Sequence, residues 1–326
     1  MKLRKTFWTT ILLLVALGIG GNPRGAAAEK VEHWSFTTID YPDAIFTGGL
    51  DINAVGDIVG RYVSLDGNMH GYVRSKHGEF TSVDFPGAVL TVAMGINDRG
   101  DIVGTYRLPT DSQSARHGFL LSEGEFTTID PPGAVFTNPL GIDPSGRIVG
   151  RFCTTVPCSS DRSNVHGFLF ADGEFTTIDF PGAMGTNAWK INPRGEIVGG
   201  YTGSDGEHHV FLLTEDGFST IDLPAGIPVG LDNGGINPQG DIVFNVCDTA
   251  PCTNTSLDSH GFLLGTRGVT LVDFPGAVNT GIFAINSRGD IVGSYNDTSG
   301  NRHGFLLSKK HKRPDHKGKT RSVKKR

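Results

Sequence analysis

The sequence predicts an all-β fold: a six-bladed β-propeller of four-stranded blades, with the N-terminal strand closing the last blade. Three observations predict it. One unit is written six times at spacings of 44 to 49 residues. Each copy holds four short runs rich in Ile, Val, Phe and Thr, parted by Gly-bearing turns and without a helical period. The chain also opens with a lone fourth strand and closes with a third strand that lacks a fourth.

The first element is a targeting segment. Lys2, Arg4 and Lys5 precede an apolar run from Phe7 to Gly20, and Ala26-Ala27-Ala28 stands before Glu29. That order reads as a secretory signal peptide over residues 1–28. The alternative is an uncleaved anchor, but the run is short against the roughly 20 residues a membrane span needs. A secreted chain, extracellular or periplasmic, with no membrane span after cleavage is expected.

The repeated body occupies residues 29–308. A motif like Gly-Ile-Asn-x-x-Gly-Asp-Ile-Val-Gly recurs around Asn53, Asn97, Asp143, Asn192, Asn237 and Asn286. His-Gly-Phe-Leu-Leu or a close variant follows at His70, His117, His166, His209, His260 and His303. Phe-Thr-Thr-Ile-Asp-Phe-Pro-Gly-Ala or a variant supplies Asp40, Asp84, Asp130, Asp179, Asp222 and Asp273. Such a period belongs to propellers, helical repeats or arrays. Short strand-like runs exclude helical repeats, and the period is too long for a β-helix. In the second repeat, strands are expected over 94–97, 101–106, 117–122 and 126–130, a meander of propeller-blade type.

Turn chemistry sets the register. Asn97-Asp98-Arg99-Gly100 and Asn192-Pro193-Arg194-Gly195 carry the type I signature. Glu123-Gly124 and Asp172-Gly173 fit two-residue hairpins that need positive φ. Counting outward places His117 opposite Asp130, His166 opposite Asp179, His209 opposite Asp222 and His260 opposite Asp273. The first repeat has one more turn residue, so its His70–Asp84 pair should be looser. If residues 34–40 pair with residues 303–308, Asp40 meets His303.

These motifs together resemble the extracellular HAF-repeat family of bacterial exported proteins, named for His-Ala-Phe. Here the motif stands as His-Gly-Phe in four repeats, His-Gly-Tyr in the first and His-Val-Phe in the fourth. The resemblance covers roughly residues 34–308 and implies an exported repeat protein. It transfers no catalytic residue.

Four cysteines form two matched pairs, Cys153 with Cys158 and Cys247 with Cys252. In an exported chain such pairs read as disulfides. Zinc would need further ligands, and no histidine stands beside either pair at zinc spacing. The net charge of −5 conceals a division: residues 29–308 carry 15 Lys+Arg against 33 Asp+Glu, while residues 309–326 carry ten basic residues against Asp315. A basic tail without apolar periodicity reads as disordered, or as a hold on an anionic surface. The acidic body speaks against nucleic acid on the propeller.

Six copies of a His–Asp pair read as blade scaffolding, because an active site needs one copy. The turn Asn residues read as backbone caps rather than metal ligands. No metal and no cofactor is expected. Function is sought where the repeat breaks. Loops 107–116, 153–165, 224–234 and 247–259 fall on one face, where binding residues commonly sit on a rigid scaffold. Arg107, Arg116, Arg151 and Arg162 are the candidate ligand contacts there. On the innermost strands Asp51 and Lys190, the latter preceded by Trp189, replace residues that are otherwise Gly95, Gly141, Gly235 and Ala284. They are expected to face each other across the channel, as a plug or as ligand contacts. The chain is therefore expected to be a monomeric exported binding module for a protein or carbohydrate, acting through its long-loop face. A hydrolase or lyase at the channel mouth, and a surface protein held by its tail, are the alternatives.

Overall fold

A computed structural model describes residues 34–155, 158, 164–221, 229–247, 259–266 and 268–309. Each repeat supplies an antiparallel meander. The chain enters through β1 (Trp34–Ile39), and the first repeat gives β2 (Phe46–Ile52), β3 (Ile58–Val63), β4 (Met69–Arg74) and β5 (Phe80–Val83). The second gives β6 (Leu90–Ile96), β7 (Ile102–Arg107), β8 (His117–Ser122) and β9 (Glu125–Thr128). The third gives β10 (Phe136–Ile142), β11 (Ile148–Cys153), β12 (His166–Ala171) and β13 (Glu174–Ile178). In the fourth come β14 (Gly185–Ile191), β15 (Ile197–Thr202), β16 (His208–Thr214) and β17 (Gly217–Ile221). The fifth gives β18 (Val229–Ile236), β19 (Ile242–Cys247), β20 (Ser259–Gly265) and β21 (Gly268–Val272). The chain ends in β22 (Asn279–Ile285), β23 (Ile291–Asn296) and β24 (Arg302–Lys309).

The fold is an all-β propeller. Its strands hydrogen-bond into four separate four-stranded blades and one eight-stranded sheet, where the repeat predicts six separate sheets. The larger sheet joins the first two repeats through a single parallel pair, Met69 with Leu90. The third strand of one repeat runs close to the innermost strand of the next, and one backbone bridge forms there. Arg116 and Phe136 form an isolated bridge of the same kind.

The ends of the described chain meet. β1 lies antiparallel on β24, from Trp34 opposite Lys309 to Ile39 opposite Gly304. The seam is packed as well as hydrogen-bonded: the Phe36 ring lies 5.1 Å from Phe274 and 5.5 Å from Phe305. The Thr38 and Tyr295 hydroxyls are 2.9 Å apart.

Packing explains the motif letters. A Cβ on Gly104 of Ile-Val-Gly would stand 2.0 Å from the Val92 carbonyl oxygen and 2.8 Å from the Phe119 ring. Only glycine lets the third-strand aromatic lie flat against the second strand. In the fifth repeat Phe244 takes this place and stacks on Phe262 at 6.1 Å. Four of the six motif Asp residues are followed by an aromatic that stacks on the Tyr of the following second strand: Tyr41 on Tyr62, Phe85 on Tyr106, Phe180 on Tyr201 and Phe274 on Tyr295, at 3.6–3.8 Å. Apolar clusters therefore sit between successive repeats.

The innermost strands differ from expectation. In the second repeat the strand runs from Leu90 to Ile96, against the expected 94–97, and it carries a β-bulge between Ala93 and Gly95. The same shift lies between Gly49 and Asp51 and between Ala188 and Lys190. A bulge breaks period-2 alternation, which hides the first half of the strand from a pattern reading.

Candidate functional site

The bulges re-aim two charged residues. Asp51 on β2 and Lys190 on β14 meet, Lys190 Nζ lying 2.9 Å from Asp51 Oδ2. Lys190 Nζ also donates to the Met94 carbonyl at 2.9 Å and the Leu140 carbonyl at 2.5 Å, so its three donors are used. Asp51 accepts from the backbone N–H groups of Ile52 and Ile96 at 2.9 and 3.1 Å. Burial pushes the Lys190 ammonium below its usual range, and Asp51 works against that fall. Four of the repeats are tied by this one pair. The pair is buried, and its polar atoms are spent on one another and on the backbone. Trp189 is 1 % exposed and packs with Leu140, Val198 and Phe244 in the core. Its ring fills the space where Gly234 lacks a Cβ, 2.5 Å from that position.

On the tight-turn side of the pair lies a cavity of about 100 Å³, lined by Asp51, Lys190 and the turn residues. The turn Asn side chains are spent on structure. Asn53 Oδ1 caps the Gly56 and Asp57 N–H groups at 2.9 Å, while its amide donates to the Asn97 carbonyl of the next repeat at 3.2 Å. Asn97 reaches Asp143, Asn192 reaches Asn237, and Asn286 reaches Asn53 across the ring closure. Among the described residues, no group of three or more His, Cys, Asp or Glu side chains could hold a metal ion.

The His–Asp pairs stand where the hairpin count placed them. Nδ1-to-carboxylate distances are 2.7 Å for His117–Asp130, 3.0 Å for His166–Asp179, 2.9 Å for His260–Asp273 and 2.9 Å for His303–Asp40. His70–Asp84, expected to be looser, is as short at 2.8 Å, because the longer turn leaves the strand register intact. Asp222 lies outside the described residues; His209 instead has Asp205 at 3.8 Å. Each imidazole except that of His260 also packs against the second-strand aromatic of its repeat, as His303 does on Tyr295 at 5.1 Å. The hairpins do adopt positive φ at Glu123-Gly124 and Asp172-Gly173. Burial works against protonation of His117 and His303, but their carboxylate partners outweigh it and hold both imidazoles above the usual range.

The opposite face carries the unabsorbed chemistry. Ile45, Val89, Met184 and Val278 are exposed by 40–57 %. Each stands at the entry to an innermost strand and donates its N–H to the end of the second strand, as Val89 does to Arg107 and Met184 to Thr202. Val135 occupies the same place in the third repeat, half-buried. Together they form an aliphatic arc around the mouth from which the long loops depart. The repeat made this arc legible, at the residue after each Pro-x-Ala, but sequence reasoning passed over it.

Arginines follow the same rim. Arg107 donates to the Gln113 side chain, and Arg116 to the Gln113 and Ala115 carbonyls at 2.9 and 2.6 Å. Burial lowers the Arg116 guanidinium, Arg107 lowers it further, and Asp111 opposes both. Arg151 lies over the Phe136 ring at 5.8 Å. Arg162 falls outside the described residues. Two arginines were missed: Arg61 and Arg302 lie over the Phe46 ring at 5.5 and 5.1 Å. Aligning the repeats finds them, since Arg61 matches Arg151, Arg302 matches Arg116 and Phe46 matches Phe136. Cys153 and Cys158 form a disulfide with Cα atoms 5.9 Å apart, which holds the start of the loop after β11. Cys252 lies outside the described residues, as do residues 1–33 and all of the basic tail after Lys309. No helix among the described residues is long and apolar enough to cross a membrane.

No family model and no curated protein sequence matches the chain. Solved structures do resemble it. AofleA from Arthrobotrys oligospora is 11 % identical with a TM-score of 0.51, over 84 % of this chain and 86 % of that one. The fucose-specific lectin from Aleuria aurantia is 10 % identical with a TM-score of 0.50, over 85 % of this chain and all of that one. At such identities the likeness is one of fold: this chain shares the propeller architecture of those proteins.

Proposed function

We propose that the chain is an exported carbohydrate-binding propeller that engages its ligand on the long-loop face. One observation carries the reading: exposed aliphatic side chains and an arc of arginines share that rim, while the channel is plugged by Lys190 and Asp51. Aliphatic groups suit the C–H faces of sugar rings, and guanidinium forks suit their oxygens. The Aleuria aurantia protein, named as a fucose-specific lectin, uses the same architecture. Exposed apolar groups of this kind also fit a protein ligand, the second reading.

The same proposal includes six blades. The eight-stranded sheet divides at its single parallel pair into β2–β5 and β6–β9, each an antiparallel meander like the four separate blades. Export and membership of the HAF-repeat family belong to this reading, supported by the leader-like N-terminus and the repeated His-Gly-Phe motif.

A glycan array probed with the full chain tests the function. Binding is expected, and it should fall about tenfold or more in Val89→Asp and Met184→Asp while Ser287→Ala on the turn face leaves it unchanged. Binding to purified surface proteins but to no glycan would favour the protein ligand. Glycan binding that both Asp variants retain would move the site away from this face.

A further inference from the structure

Resting on the carbohydrate reading, we infer that the cleft where the last repeat meets the first, lined by Arg302, Arg61 and Phe46, takes the carboxylate of an acidic sugar.

The contrast between the two faces makes the case. On the turn face the arginines of the first-to-second-strand turns are matched: Arg99 with Asp101 at 2.7 Å, Arg147 with Asp143 at 2.6 Å, Arg194 with Glu196 at 2.5 Å and Arg288 with Asp290 at 2.8 Å. Arg302 is different. Its hydrogen bonds among the described residues go to the neutral Ser294 hydroxyl, at 3.0 and 3.1 Å. The charge that acts on it is a second guanidinium, Arg61, which lies over the same Phe46 ring. Burial, with Arg61 adding to it, brings Arg302 down to about 10.

A guanidinium this desolvated, hydrogen-bonded to a neutral hydroxyl and with a second cation over the same ring, is costly unless an anion joins it. This happens in a body with 33 acidic residues against 15 basic ones, where carboxylates are plentiful elsewhere. A planar carboxylate matches a guanidinium fork in geometry as well as charge. Phe46 is half-buried and would meet the apolar face of the same sugar ring. The matching cleft at Phe136 is less demanding: Arg116 there is relieved by backbone carbonyls and by Asp111.

The test is calorimetric titration of the full chain with trigalacturonate and with its uncharged methyl ester. The acid is expected to bind and the ester to bind at least about tenfold more weakly, since a charge-assisted hydrogen bond is at stake. Arg302→Gln and Arg61→Gln should each weaken the acid about tenfold without changing the ester. If Arg302→Gln fails to fold, the acid-to-ester ratio of the unaltered chain and the Arg61→Gln variant decide. Equal binding of acid and ester, or acid binding that survives both variants, overturns the inference. Binding of neutral glycans but not of trigalacturonate also overturns it, leaving the carbohydrate reading in place. If no glycan of any charge binds, both fall together.

Discussion

Lys190 is a charged residue whose partners come from three other repeats. Its ammonium is held by one carboxylate and two carbonyls from separate repeats, with its side chain 11 % exposed. Breaking a buried pair from one side leaves the other charge uncompensated, which typically costs ~3–5 kcal/mol. Lys190→Met is therefore expected to lower the urea midpoint steeply, whereas Lys190→Met with Asp51→Asn should recover much of the loss. Glycan binding, referred to the folded fraction, should be the same in the double variant. Additive losses in the two single variants would show that the pair is not coupled. Sequence alone singled out Asp51 and Lys190 as departures from the repeat. It could not list their partners, because two of the contacts are to backbone carbonyls of other repeats.

At the scale of the hairpin, the His–Asp pairs belong to the third-to-fourth-strand unit. His117 and His303 are raised above the ordinary imidazole value of 6.5. A group raised in the fold stabilises it fully below its unfolded value, and the benefit is lost as pH rises through the folded value. The melting temperature is thus expected to fall as pH rises above about 6.5, and to fall less in Asp130→Asn. A variant with the same pH profile as the parent chain would remove His117 from this account. The hairpin register was legible because a two-residue turn leaves no freedom in the count. The innermost strands were not, because each carries a bulge that pattern reading takes for a boundary. The glycine of Ile-Val-Gly, inside the expected second strand, is required by contact: a carbonyl lies 2.0 Å from its absent Cβ.

At the scale of the molecule, closure rests on β1. Its backbone covers the edge of β24, Phe36 covers Phe305, and Asp40 meets His303. An uncovered edge strand is a template for association with other chains. Full chain lacking residues 34–40 is expected to elute as aggregate in size exclusion, and a peptide of those residues added during refolding should restore part of the monomer. A soluble variant with an unchanged melting temperature would show that the seam contributes little. The asymmetry between the two faces also exists only at this scale. Arg61, Arg302 and Phe46 are far apart in the chain and converge because the last repeat is seated against the first.

The chain by itself determined the propeller, the pairing of its ends, the His–Asp register and the first disulfide. These follow from local rules: strand period, turn length and the repetition of a unit that cannot bury its faces alone. Only the tertiary structure decided that Trp189 is core, that Lys190 and Asp51 pair, and that aliphatic and arginine side chains share one rim. Those facts depend on which side chains from different repeats meet, and a one-dimensional pattern holds no record of that.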